Sequence, residues 1–178
     1  MFRCLPRSMC YTYISIHYFI HTLVLSYLTY LIDIWGAASK TNLKTLQIIQ
    51  NKIIKLLFHI KPLTSTNKLY KETKILNIHQ LYQYNTCILI RKILQNNLQS
   101  ELSFLTNEQT GNRPLKSANN LYLPKTRTNY GKKSIIYEGA QIYNKLPQDI
   151  KTSKNFYNFK TKLKEYLIKN KIESDPVL

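Results

Sequence analysis

Acidic residues are scarce in this chain. Nine Asp and Glu stand against 26 Lys and Arg in 178 residues, a net charge of +17. Only Asp33, Asp149 and Asp175 are aspartates, and no two are adjacent. Template-directed nucleotide transfer needs carboxylates paired across two metal ions about 4 Å apart. No such pair can be drawn here. With four glycines, the phosphate-cradling loop G-x-x-x-x-G-K cannot be placed either. G-x-S-x-G, H-E-x-x-H and a Cys–His nucleophile pair are missing too. The three cysteines, Cys4, Cys10 and Cys87, show no C-x-x-C spacing and leave one odd. That argues against a disulfide framework and points to a reduced, intracellular compartment. His17, His21, His59 and His79 do not join the cysteines at ligand spacing, which argues against zinc. The expectation is a chain with no catalytic residues, no metal and no cofactor.

What is abundant is positive charge, and it is unevenly placed. Residues 1–35 carry a net +1, from Arg3, Arg7 and Asp33. Residues 112–171 carry fourteen basic residues against Glu138, Asp149 and Glu165, a net +11. Such a surplus implies a polyanionic partner. An AT-rich coding bias would also raise Lys, Asn, Ile and Tyr, but it does not explain the asymmetry.

Apolar residues make up 44% of the chain, enough for a core. Met9 to Ile32 holds no charge and by hydropathy alone could be a membrane span or a signal sequence. Thr12, Ser15, Thr22, Ser26, Thr29 and Asp33, however, recur at helical spacing and form a polar stripe. A helix packed in protein needs such a stripe, whereas a lipid-facing one does not. The expectation is one helix over 9–34, buried against a second helix over 41–60. Gly36 ends the first and Pro62 stops the second. A short helix follows over 64–74. A long helix begins after the N-cap Asn77 and ends near Asn96-Asn97. Residues 101–120 read as a loop. Leu121–Leu123 and Ser134–Tyr137 then read as two β-type runs about an Asn129–Gly131 turn. Gly139 to Lys145 fits a short helix closed by Pro147. Ser153 is the expected cap of a terminal helix with Phe156, Phe159, Leu163, Tyr166 and Leu167 on one face. The fold expected is mainly α, a helical bundle with a small β-hairpin near the C-terminal end. A helical region 1–110 would precede a basic hairpin-plus-helix module 111–178.

Four motifs follow one another between Leu121 and Pro147. They are Leu121-x-x-Pro124, Arg127-Thr128-x-Tyr130-Gly131, Ser134-Ile135-x-Tyr137-x-Gly139 and Tyr143-Asn144-x-Leu146-Pro147. At this spacing they resemble the C-terminal end of reverse transcriptases from non-LTR retrotransposons of the jockey-like kind. Leu25 to Gly36, Leu43 to Leu57, Leu69 to Tyr84 and Asn158 to Ile168 are similar to further segments of the same family. Two positions depart from the pattern. Asn112-Arg113 stands for the usual Thr-Arg, and Tyr143-Asn144 for Trp-Asn. All of the likeness lies downstream of the catalytic palm. The resemblance therefore implies a thumb-and-tail region of an RNA-directed DNA polymerase, whose partner is the missing upstream polymerase domain.

Residue chemistry and resemblance meet in the stretch around the turn. Arg113, Lys125, Arg127, Lys132 and Lys133 could neutralise phosphates of an RNA or DNA backbone, and Tyr130 could stack on an unpaired base. A solvated loop whose tyrosine packs on the core would read the same way. Three rival functions stay open: a basic nucleic-acid-binding protein, as a domesticated tail with its own role; a small membrane-anchored basic protein; and a degenerate gene fragment with no function.

Overall fold

The computed structural model describes residues 18, 20–95, 102–110, 120–153 and 155–170. It is mainly helical. The uncharged N-terminal run is not one continuous helix. Ile20–Val24 is wound as a π-helix and passes into α1 (Leu25–Thr29). Leu31, in left-handed backbone at φ 50°, then breaks the run before α2 (Ile32–Trp35). The Trp35 indole N–H donates to the Tyr30 carbonyl across the break (2.8 Å). The polar stripe largely serves its own backbone. Thr22, Ser26 and Thr29 donate to carbonyls three or four residues earlier. Such back-bonding bends helices. Residues 9–17 and 19 of the expected helix lie outside the described residues.

Ser39 caps α3 (Lys40–Leu57), its hydroxyl accepting from the Asn42 N–H. The helix ends in a Schellman turn: Ile60 N–H bonds Lys55 O, and His59 N–H bonds Leu56 O. After α4 (Asn67–Thr73), Lys74 also takes left-handed backbone, at φ 52°. Asn77 and Gln80 then form a capping box at the start of α5 (Ile78–Leu94). Gln47 of α3 accepts from the Ile78 N–H and Gln50 donates to Leu76 O. These two bonds tie α3 to the entrance of α5.

Helix α5 is the axis of the molecule. Ile78, Leu81, Tyr82, Thr86, Cys87, Ile90 and Ile93 are buried on it, so its apolar band is wide. Gly36, just after α2, sits against the Tyr82 ring with no room for a side chain; a Cβ there would lie 2.2 Å from Tyr82 Cδ2. The glycine is in ordinary helical backbone, so close approach is what the position requires. The other side of α5 meets α9 (Phe156–Lys169), which buries Phe159, Leu163 and Leu167. Burying side chains of this size contributes roughly 1.5–3 kcal/mol each. One core thus contains Ile32, Tyr82, Phe104, Leu121, Tyr143 and Phe159. It draws on both sides of the expected 110/111 boundary; residues 111–119 lie outside the described residues. A smaller cluster joins Ile20, Ile54, Tyr70 and Ile75.

The expected β-hairpin is corrected. Among the described residues there is no strand, only an isolated antiparallel bridge between Thr106 and Leu121. The expected Asn129–Gly131 turn lies in the helical turn α6 (Asn129–Lys132), and most of the expected Ser134–Tyr137 arm lies in a π-helix, Ile135–Gly139. Thr128 and Ser134 act as N-caps for the two turns, accepting from Gly131 N–H and Tyr137 N–H. Local capping outweighs the β preference of Ile135, Ile136 and Tyr137, a run too short for periodicity to decide. The chain continues through α7 (Ala140–Asn144) and α8 (Gln148–Lys151). The cap of α9 is Asn155, which accepts from Tyr157 N–H, and not Ser153.

Candidate nucleic-acid interface

The basic loop is held at both ends. At its entry, Asn144 of α7 grips the backbone of Leu121. The amide oxygen accepts from Leu121 N–H and the amide nitrogen donates to Leu121 O, both at 2.9 Å. Tyr122 N–H bonds Leu105 O beside it. Lys151 then donates to Asn144 O (2.9 Å) and to the side chain of Asn120. Arg91 of α5 secures Lys151 in turn. Its guanidinium donates to Lys151 O and Ser153 O at 2.8 and 2.7 Å and lies over the Phe159 ring. A forked donor at the C-terminal end of α8 satisfies carbonyls the helix leaves open.

At its exit the loop is fastened to α5. Gly139 packs against Ile90 and Thr86, and the Tyr82 hydroxyl donates to Glu138 (3.3 Å). Burial holds the Glu138 carboxyl above its ordinary range, against the Tyr82 bond and the charge of Lys133. Asp33 of α2 is raised in the same way by burial, opposed by Thr86 and by the charge of Lys92. Within the loop, Gly131 lies against Thr126, where a Cβ would come within 3.2 Å.

Between these anchors Lys125, Arg127, Lys132 and Lys133 are all exposed. Tyr130 is 88% exposed and does not pack back on the core. The structure therefore brings five of the six sequence-derived site residues onto one short excursion. Arg113, the sixth, lies outside the described residues. The residues that position the loop, Asn144, Lys151 and Arg91, were missed as site residues. Only the Tyr143-Asn144 motif signalled any of them, and it carried no role.

Among the described residues no group of three or more His, Cys, Asp and Glu could hold a metal ion. Cys87 is fully buried, its thiol pushed up to about 12 by burial. No described helix is long and apolar enough to cross a membrane. No protein-family model matches this chain, and no curated protein or solved structure matches it significantly.

Proposed function

We propose that this chain is the thumb-and-tail portion of a non-LTR retrotransposon reverse transcriptase, and that its own part is to grip an RNA or DNA backbone inside the cell without catalysing. The observation that carries the gripping role is the anchored loop with four exposed cations around an exposed Tyr130. Its fixed ends hold the charges together, which limits the ordering cost of binding. The polymerase ancestry rests on the motif series from Leu121 to Pro147. A second feature suits an upstream polymerase domain as partner. Leu23, Tyr27, Tyr30, Leu31 and Ile34 of the N-terminal helical segment are each more than half exposed. Apolar surface of this kind marks an interaction face.

Filter binding of a short RNA and its single-stranded DNA counterpart over a salt series tests the reading. Four phosphate contacts predict a slope of log K against log salt of about −3, from roughly −0.7 per phosphate on a single strand. Replacing Lys125, Arg127, Lys132 and Lys133 together by Ala is expected to flatten most of that slope for every sequence. Tyr130→Ala is expected to cost roughly 1–3 kcal/mol through lost stacking. An unchanged slope in the fourfold variant would reduce the loop to a solvated surface. Primer extension by the chain alone serves as the control and is expected to incorporate nothing.

A further inference from the structure

A cleft of about 290 Å³ opens where α9 meets Lys74 and the middle of α5. Ligand pockets usually measure roughly 300–1,000 Å³, so this one suits a small group. Tyr157, Lys160 and Lys164 line it from one face of α9, spaced three and four residues apart. Tyr84 comes from α5, and Lys74 from the left-handed residue that ends α4. Glu165 also borders the cleft, where three lysines outnumber it. Lys164 is half-buried, and both burial and the neighbouring charge of Lys74 disfavour its protonated form. The Lys160 ammonium lies over the Phe156 ring, 4.7 Å from its centroid. Gathering like charges in a partly dehydrated cleft costs free energy, and a bound anion removes that cost.

The aromatic residues narrow the choice of anion. Tyr157 is 72% exposed beside the lysines, so its ring is open to stacking. We infer that the cleft between α9, α5 and Lys74 binds the phosphate of one nucleotide unit, with the base against Tyr157. This site is separate from the loop of residues 125–133 and does not rest on that loop's role.

Titration of the full chain with adenosine 5′-monophosphate, inorganic phosphate and adenosine tests it, read by NMR from lysine Cε and tyrosine ring signals. The monophosphate is expected to bind more tightly than either fragment. Lys74→Gln with Lys164→Gln is expected to weaken it by about tenfold or more, as for one lost charge-assisted hydrogen bond. Lys164→Arg should retain binding, showing that charge and not folding is at stake. Tyr157→Ala should weaken the monophosphate and leave inorganic phosphate unchanged. Equal affinity in the double Gln variant, or adenosine binding as tightly as its monophosphate, would overturn the site. Inorganic phosphate binding as tightly as the monophosphate would overturn the nucleotide assignment. Loss of binding in the fourfold loop variant, with the double Gln variant unaffected, would place the nucleotide on the loop instead.

Discussion

Single residues in this protein act through what stands next to them. Gly36 has backbone angles that alanine adopts freely. On chain entropy alone, Gly36→Ala would stabilise by about 0.4–1 kcal/mol. The added Cβ would meet Tyr82 Cδ2 at 2.2 Å and Ile32 O at 2.5 Å, neither of them a flexible chain end. Overpacking typically costs about 1–3 kcal/mol, so the clash wins and the variant is expected to melt lower in thermal denaturation. Asp33 offers a test of sign. Burial raises its pKa, so the folded state holds the proton more tightly than the unfolded chain. Stability should fall as pH rises from the ordinary carboxylate value through the raised one, and stay reduced at neutral pH. Asp33→Asn keeps an acceptor for Thr86 and removes the charge. Its melting temperature should exceed the parent's at about pH 7, with the gap shrinking towards about pH 4. A variant less stable at neutral pH would mean that Thr86 and Lys92 outweigh burial.

At the scale of elements, ends and breaks decide more than interiors. Helix α3 closes in a Schellman turn, with His59 at φ 51° where glycine is usual. Left-handed backbone costs a non-glycine residue about 1–2 kcal/mol, and glycine returns about 0.4–1 kcal/mol to the unfolded chain. His59→Gly is therefore expected to stabilise by about 0.5–1 kcal/mol, measurable in urea denaturation as a higher midpoint at constant slope. His59 is exposed, so no packing should be lost. Short elements explain where sequence patterns misled. The 134–137 run looked extended by composition, but the Ser134 cap turned it helical. The 9–34 run reads as one helix by periodicity, but the chain breaks at Leu31 and Ile32 enters the core.

For the whole molecule, the balance of covered and uncovered surface matters most. The α5 axis is packed on one side by α1 and α2, and on others by α3, α7 and α9. The outer face of the N-terminal segment has no cover among the described residues. Tyr27 is 83% exposed, Tyr30 72% and Ile34 72%. Replacing all three with Ser is expected to reduce self-association in sedimentation velocity. Exposed sites change stability by about 0.5 kcal/mol or less, so the melting temperature should barely move. A large drop would show instead that this face packs within the monomer.

The sequence by itself determined the helical class, the cap at Asn77, the apolar face of α9 and the concentration of charge after residue 112. Each follows from local periodicity, capping chemistry or counting, which need no knowledge of neighbours. It also marked Lys125, Arg127, Tyr130, Lys132 and Lys133, because their exposure follows from polar surroundings. Only the tertiary structure decided that Gly36 is needed for space beside Tyr82, since the two lie 46 residues apart in sequence. It alone brought Asn144 to the backbone of Leu121 and Arg91 to the end of α8. It alone set Lys74, at the end of α4, beside Lys164 of α9, 90 residues away in sequence. Such pairings depend on how helices cross in three dimensions, and no spacing along one chain encodes them.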